Sequence, residues 1–264
     1  LDLSRIYVTV FEGDENAPRD EEAALIWQKY IPKNRIYYLP AKNNWWSAGD
    51  NGPCGPDTEI FYDTNTEFPL GDLSHEQFVE ADKSGKVIEI WNNVFMQYEK
   101  KDGLVVGKLA KNNVDTGMGL ERITMVKQGA KTVFETDLFV DILKNIKENS
   151  KTKDDRIERI IADHIRTSVF MIGDGVVPSN TGRGYVLRRI LRRVVRFKDT
   201  IKLDLNLENL IDIVIKKYGD FYTELKENET LIKEEIKKEE NKFKQTLEKG
   251  LREFENLFKK ENNM

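Results

Sequence analysis

The residues best suited to chemistry are five arginines on one stretch and a glycine-punctuated run flanked by an acid and a base. The segment YVLRRILRRVVRF, wound at about 100° per residue, puts Val186, Leu187, Ile190, Leu191, Val194 and Val195 within about half the circle. Arg188, Arg189, Arg192, Arg193 and Arg196 fill the other half, and residues 182 to 198 hold seven basic and no acidic side chains. A guanidinium makes paired, charge-assisted hydrogen bonds to oxyanions and stays charged at any relevant pH, so such a stripe suits phosphate. Three readings are open: a nucleic-acid backbone, a membrane surface, or a surface paired with acids elsewhere in the fold. The apolar half is wholly aliphatic, which weighs against the membrane. Just upstream, Pro178, Ser179 and Asn180 form a small polar loop; an amide can both donate to and accept from base edges, although in isolation such a loop is only a turn.

Asp115-Thr-Gly-Met-Gly-Leu-Glu-Arg122, between a polar approach and the amphipathic ITMVKQG, reads as a strand end, a turn and a helix start, in which Gly117 and Gly119 permit close approach of a ligand. A Gly-x-Gly pair alone is more often a plain turn. The flanking residues add weight: a carboxylate can hold an ammonium group, and an arginine can stack on a purine or neutralise phosphate. The run EIWNNVFMQYE alternates, so Asn92, Val94 and Met96 share one face, and Trp91, Asn93 and Phe95 the other. An amide beside a small branched wall suits a pocket for a small substrate, though a mixed sheet face carries the same letters. In NNWWSAGDNGPCGPDTEIF, two tryptophans and a Gly/Pro cluster precede a short strand bearing Glu59, a carboxylate able to hold Mg²⁺ or to serve the sheet alone. Cys54 reads as a small packed residue, His164 as a core histidine on an apolar helix face, and His75 as a loop residue. With one Cys and two scattered His, a zinc site is not expected.

The elements that must position these groups change character along the chain. Up to about residue 145, RIYVTVF, EIFYD and EIWNNVFMQYE are short β-type runs among Gly, Pro, Asn and Asp clusters. From about residue 154, apolar residues recur at helical spacing. NIKENSKTKDD has nothing to bury, and two domains are expected, 1–150 and 151–264. Leu207 to Tyr218 reads as a helix with Gly219 as its stop, and a Lys/Glu-rich tail carries a thin seam of Ile232, Ile236, Phe243, Leu247, Leu251, Phe254 and Phe258, as one long helix or two. Hydrophobic residues at 39% and charged residues at 33% exclude a disorder-dominated chain. No stretch approaches twenty apolar residues, so no membrane span is expected. A lone cysteine excludes an internal disulfide, and the chain reads as cytoplasmic. The net charge of −4 argues against general nucleic-acid affinity but not against a local basic face. Leu1 opens directly into a strand-like run, as a piece of something longer would.

The order NNWWSAGDNGPCGPDTEIFYD, EIWNNVFMQYE, VDTGMGLERI and IADHIRTSVFMIGDGVVPSNTGRGYVLRRILRR resembles the alanyl-tRNA synthetase family over roughly residues 1 to 258. The resemblance implies an α+β fold: the C-terminal part of a class II antiparallel-sheet catalytic domain, then an all-α domain recognising the tRNA acceptor stem. DTGMGLER resembles class II motif 3, with Asp115 replacing the usual first glycine, as in the alanyl group. By that resemblance Asp115 holds the substrate's α-ammonium, Trp46, Asn92 and Val94 line the alanine pocket over Gly117, and Gly119 and Arg122 serve ATP, with Glu59 a candidate Mg²⁺ ligand. Asn180 matches the reader of the acceptor stem's G·U pair, with Arg183, Arg188, Arg189, Arg192, Arg193 and Arg196 on nearby phosphates. The implied partners are alanine, ATP and tRNA(Ala), without a membrane. Motifs 1 and 2 would precede Leu1, and the editing region, with the family's zinc, would follow Met264, so this chain alone is expected to form no adenylate. The rival reading is a stand-alone acceptor-stem binding module without catalysis.

Overall fold

In the computed structural model the chain forms two compact units, Leu1–Thr136 and Asp137–Met264. The structure describes residues 1–65 and 67–261, with side chains as far as 254 in the last helix. Phe258 of the expected seam lies outside the described side chains.

The first unit is built on β1 (Ile6–Phe11), which is buried at every residue because strands flank it on both sides. Helix α1 (Glu21–Trp27), its first turn capped by Asp20 accepting from the Ala23 amide, crosses over to β2 (Ile36–Leu39), which pairs parallel with β1. A single-turn α2 (Ala41–Asn44) leads to β3 (Trp45–Ser47) and then β4 (Gly52–Asp63). Helix α3 (His75–Lys83) opens on a capping box between Ser74 and Gln77. It is followed by the long hairpin of β5 (Val87–Lys101) and β6 (Leu104–Met118), and then by α4 (Leu120–Gln128). The six strands run β2-β1-β4-β5-β6, with β3 paired on β4; β1–β2 is a parallel pair in a sheet whose other pairings are antiparallel. Aliphatic residues pack on one face of β1 (Ile6, Val8, Val10) and aromatics on the other, where Tyr37 stacks on Phe78 with centroids 4.2 Å apart.

Three local features differ from the reading of the sequence. The Gly/Pro cluster is strand: β4 starts at Gly52 and passes a register irregularity between Cys54 and Asp57. Gly55 is required there, since a Cβ would sit 1.9 Å from the Phe95 carbonyl oxygen. Of β6 only the end near Asp115 is expected from sequence, and its polar, exposed body is not, yet Asp102-Gly103, both at positive φ, is the two-residue turn that joins a hairpin. His75 is no loop residue but opens α3, its Nε2 3.2 Å from the Tyr38 carbonyl.

The second unit is helical. Helix α5 (Val140–Asn149) belongs to it, packing on α6 (Asp155–Gly173) and α8 (Leu207–Tyr218) through Ile142, Leu143 and Ile146. The unit boundary therefore falls at 136/137 rather than at the polar segment near 150, which joins two packed helices and bridges to Leu203 through the buried Ser150. Helix α7 (Gly182–Thr200) lies along α6, burying Leu187, Leu191, Val194 and Val195; Val186, expected on the buried stripe, is 52% exposed. Gly219 ends α8 in a right-handed conformation (φ −69°), and space decides its identity: a Cβ would meet the Ile215 oxygen at 2.6 Å. The tail forms a short α9 (Glu224–Glu227) and then α10 (Glu229–Glu261). Ile232 and Ile236 are buried in the unit, whereas Leu247, Leu251 and Phe254 are exposed.

Candidate functional site

Antiparallel pairing places register partners side by side on one face of the sheet. Glu59 opposes Asn92, which opposes Gly117; Asp57 opposes Val94, which opposes Asp115. Residues from three strands thus form two adjacent rows, with Thr9 extending the first row onto β1. The expectation that Asn92 and Val94 share a face holds: Asn92 Nδ2 donates to Glu59 Oε1 at 3.4 Å, while Trp91 and Asn93 meet Thr116 on the other side.

Beneath the rows lies a buried polar layer. Asn44, fully buried at the end of α2, donates through Nδ2 to Thr9 Oγ1 (2.9 Å) and Asp57 Oδ1 (3.0 Å). Among the described residues the amide oxygens of Asn44 and Asn92 are buried with no hydrogen-bond partner. Burial pushes Asp57 up to about 6, against the Asn44 and Asn92 amides, which lower it. Burial, with the charges of Glu89, Asp57 and Asp82, pushes Glu59 up to about 8. Such clustered, raised carboxyls mark a site where a cation would be stabilised.

Glu59 lines a cavity of about 350 Å³ with Lys42, Asp82, Glu89 and Arg122. The Arg122 guanidinium is held by Glu89, through its backbone oxygen and its carboxylate, each at 2.9 Å. Gly119 caps α4, and a Cβ on it would touch the Arg122 side chain at 3.5 Å; a Cβ on Gly117 would meet nothing within 4 Å. Neither glycine has positive φ, so no tight turn separates strand from helix: β6 runs directly into α4, and Gly117 leaves open room over the row. Asp115 is exposed on β6, one oxygen accepting from the Thr116 amide at 2.9 Å. Trp46 is 37% exposed and opposes Gly55, outside the two rows; its neighbour Trp45 is the ring packed between Phe11 and Tyr98. The structure thus unites Glu59, Asn92, Val94, Asp115 and Gly117, sets Arg122 beside Glu59, and leaves Trp46 apart. Asn44, Asp57, Asp82 and Glu89 were not singled out from sequence. The alternation that pairs Asp57 with Glu59 on one face was the available signal.

In the second unit the loop before α7 is built against that helix. The Ser179 amide donates to the Gly184 oxygen at 3.0 Å, and a Cβ on Gly184 would lie 2.4 Å from the Val177 oxygen. Asn180 is exposed, its Oδ1 accepting from Arg188 Nη1. The arginines are not one equivalent stripe. Arg192 departs from the expected open row: its Nε donates to Glu239 Oε1 at 2.7 Å, Glu239 being 5% exposed, and its guanidinium lies over Phe243 at 5.1 Å. That acid comes from α10, far along the chain, so no local reading of charge could reveal it. Arg193 lies over its own helix's Phe197 at 5.7 Å, and Arg183, Arg189, Arg193 and Arg196 are exposed.

Elsewhere Cys54 is buried, as expected. His164 is tied through Nδ1 to Asp163 at 2.9 Å, but among the described residues its buried Nε2 has no partner, so it is a core histidine only half satisfied. Among the described residues no group of three or more His, Cys, Asp and Glu is arranged to hold a metal ion, and no helix is long and apolar enough to cross a membrane.

Against known proteins, the sequence matches the family described as tRNA synthetases class II (A) over residues 1–264. It is 44% identical over 268 residues to the alanine–tRNA ligase of Borrelia hermsii (96% of this chain, 44% of the relative). It is 46% identical over 262 residues to that of Borreliella afzelii (95% and 43%). To the cytoplasmic alanine–tRNA ligase of Dictyostelium discoideum it is 41% identical over 281 residues (98% and 29%). The chain spans less than half the length of these curated relatives.

Proposed function

The chain belongs to the class II (A) tRNA synthetases, and from that premise we propose that it forms part of an alanine–tRNA ligase, supplying the amino-acid pocket, part of the ATP site and one reader of the tRNA acceptor stem. In this reaction an alanine carboxylate oxygen attacks the α-phosphorus of ATP and pyrophosphate leaves. The 3′-terminal ribose hydroxyl of tRNA(Ala) then attacks the alanyl carbonyl and AMP leaves. The observation that carries the reading is the pair of rows that sets Val94 beside Asp115 and Asn92 beside Gly117. Asp115 supplies a charge for the α-ammonium, Val94 limits the side chain to a methyl-sized group, and the bare Gly117 gives the substrate room against the strand. Trp46, on β3, lies outside these rows, and the pocket reading rests on Val94, Asn92, Asp115 and Gly117 without it. One small group is worth only about 1–3 kcal/mol of discrimination, so serine and glycine are weakly excluded by such a pocket.

Arg122, held by Glu89 and flanked by Gly119, neutralises nucleotide charge, and Lys42 offers a second cation in the same cavity. Its acids suit a hard cation: Mg²⁺ takes oxygen ligands, usually one or two carboxylates with phosphates completing the shell, and the repulsion among Glu59, Glu89 and Asp82 is what such an ion would relieve. Glu59 and Glu89 would hold it, and when bound it would offset charge on the leaving pyrophosphate. On the second unit, Asn180 contacts the G·U pair while Arg183, Arg189, Arg193 and Arg196 neutralise phosphates. The setting is cytoplasmic. Alanine-dependent charging of tRNA(Ala) by a polypeptide containing this chain is the test: Asp115→Asn raises KM for alanine by about tenfold or more, as expected for a lost charge-assisted contact. An unchanged KM would remove the pocket assignment.

A further inference from the structure

We infer that Arg188 is a positioning residue for Asn180, fixing which edge of its amide meets RNA, rather than one more phosphate contact. The inference rests on the reading of Asn180 as an acceptor-stem reader. A free asparagine on an exposed loop can rotate to present either its oxygen or its NH₂, and so distinguishes base edges poorly. Here the oxygen is taken: Arg188 Nη1 donates to Asn180 Oδ1 across the first turns of α7. With the oxygen facing Arg188, the two N–H donors are the groups left to lead toward a ligand.

The surroundings hold this arrangement. Arg188 is half-buried where Arg189 is exposed, so its guanidinium is the more restricted of the two. The loop cannot drift from the helix, because the Ser179 amide is bonded to the Gly184 oxygen, Ser179 Oγ donates to the Thr181 oxygen at 2.9 Å, and the absence of a side chain at Gly184 lets the Val177–Ser179 backbone lie directly against α7. Arg188 thus stands two turns behind the recognising side chain on a rigid element, the placement that gives precision to a loop-borne site. The charge of Arg188 also polarises the amide toward donation.

The experiment measures binding of this chain to two RNA hairpins that differ by a G·U against a G·C pair in the acceptor stem, at two salt concentrations. The affinity ratio reports the reader, and the salt slope reports phosphate contacts. Asn180→Ala is expected to lower the ratio about tenfold, the scale of a well-placed base contact. Arg188→Met is expected to lower it equally; Arg188→Lys, which keeps a donor and the charge at nearly the same reach, restores most of it. Arg189→Met is expected to weaken both hairpins together and leave the ratio unchanged. If Asn180→Ala abolishes the preference while Arg188→Met preserves it, the positioning role is overturned and the reader stands. If neither the parent chain nor Asn180→Ala prefers G·U, the reader and the inference built on it both fall. Helical circular dichroism of each variant separates a lost contact from a lost fold.

Discussion

Replacing Arg192 by Met distinguishes a structural arginine from its exposed neighbours. The pair is short, 2.7 Å from Nε to Oε1, with side-chain exposure of 27% for Arg192 and 7% for Glu239. Removing one partner of a buried pair costs about 3–5 kcal/mol, because the remaining charge is stranded. Partial access of water to Arg192 brings the cost below that range, to about 2–3 kcal/mol, while lost stacking on Phe243 adds about 0.5–1 kcal/mol. For a unit of this size a kcal/mol shifts Tm by about 3–5 °C, so the combined loss of about 2.5–4 kcal/mol gives an expected fall of about 8–20 °C. All four tryptophans lie in the first unit, so their fluorescence follows the sheet while far-UV circular dichroism weights the helical unit. The dichroism midpoint should fall for Arg192→Met. It should recover most of the loss in the Arg192→Met/Glu239→Met double variant, where no carboxylate is stranded. Arg189→Met should stay within about 0.5 kcal/mol of the parent, as exposed substitutions do. An Arg192→Met midpoint within about 2 °C of the parent, or no recovery in the double variant, would refute the reasoning.

The sheet unit should lose stability as pH rises. Glu59, at about 8 in the fold against an ordinary 4.5, and Asp57, at about 6 against 3.8, contribute proton-linked stability that is complete below their ordinary values and is lost as pH climbs through the raised ones. Urea midpoints by tryptophan fluorescence should decline by a few kcal/mol at most between about pH 4 and 8, and Glu59→Gln should flatten the part above pH 6; an unaltered slope would count against the burial of that carboxyl. Glycine replacements separate fold from site. Gly55→Ala forces a Cβ onto the Phe95 oxygen and should destabilise the sheet by about 3 kcal/mol in the same assay. Gly117→Ala, with nothing within 4 Å, should leave stability unchanged yet cut alanine-dependent ATP–pyrophosphate exchange about tenfold in a polypeptide containing this chain, by displacing the substrate.

Much of this was legible because local pattern carried it. Alternation in EIWNNVFMQYE placed Asn92 and Val94 on one face, and helical spacing identified the arginine helix. Local pattern failed where strands are neither apolar nor regular: β6 is exposed and polar, and β4 begins in glycines and prolines whose pairing depends on the Phe95 backbone of another strand. It failed again at the domain boundary, since the polarity of the segment near 150 says nothing of α5 packing on α6 and α8.

By itself the sequence determined the family, the α+β succession and the identities of Asp115, Arg122, Asn180 and the arginines, since each depends on residue type and near-neighbour spacing. Tertiary structure alone decided what those residues face. It set Asp57 and Glu59 in a buried layer where desolvation raises both carboxyls. It brought Glu239 from α10 to claim Arg192, and it set Arg188 against the Asn180 amide oxygen. Register and packing join residues far apart in the chain, and burial sets the dielectric in which their charges act, so neither can be read from spacing along one strand or helix.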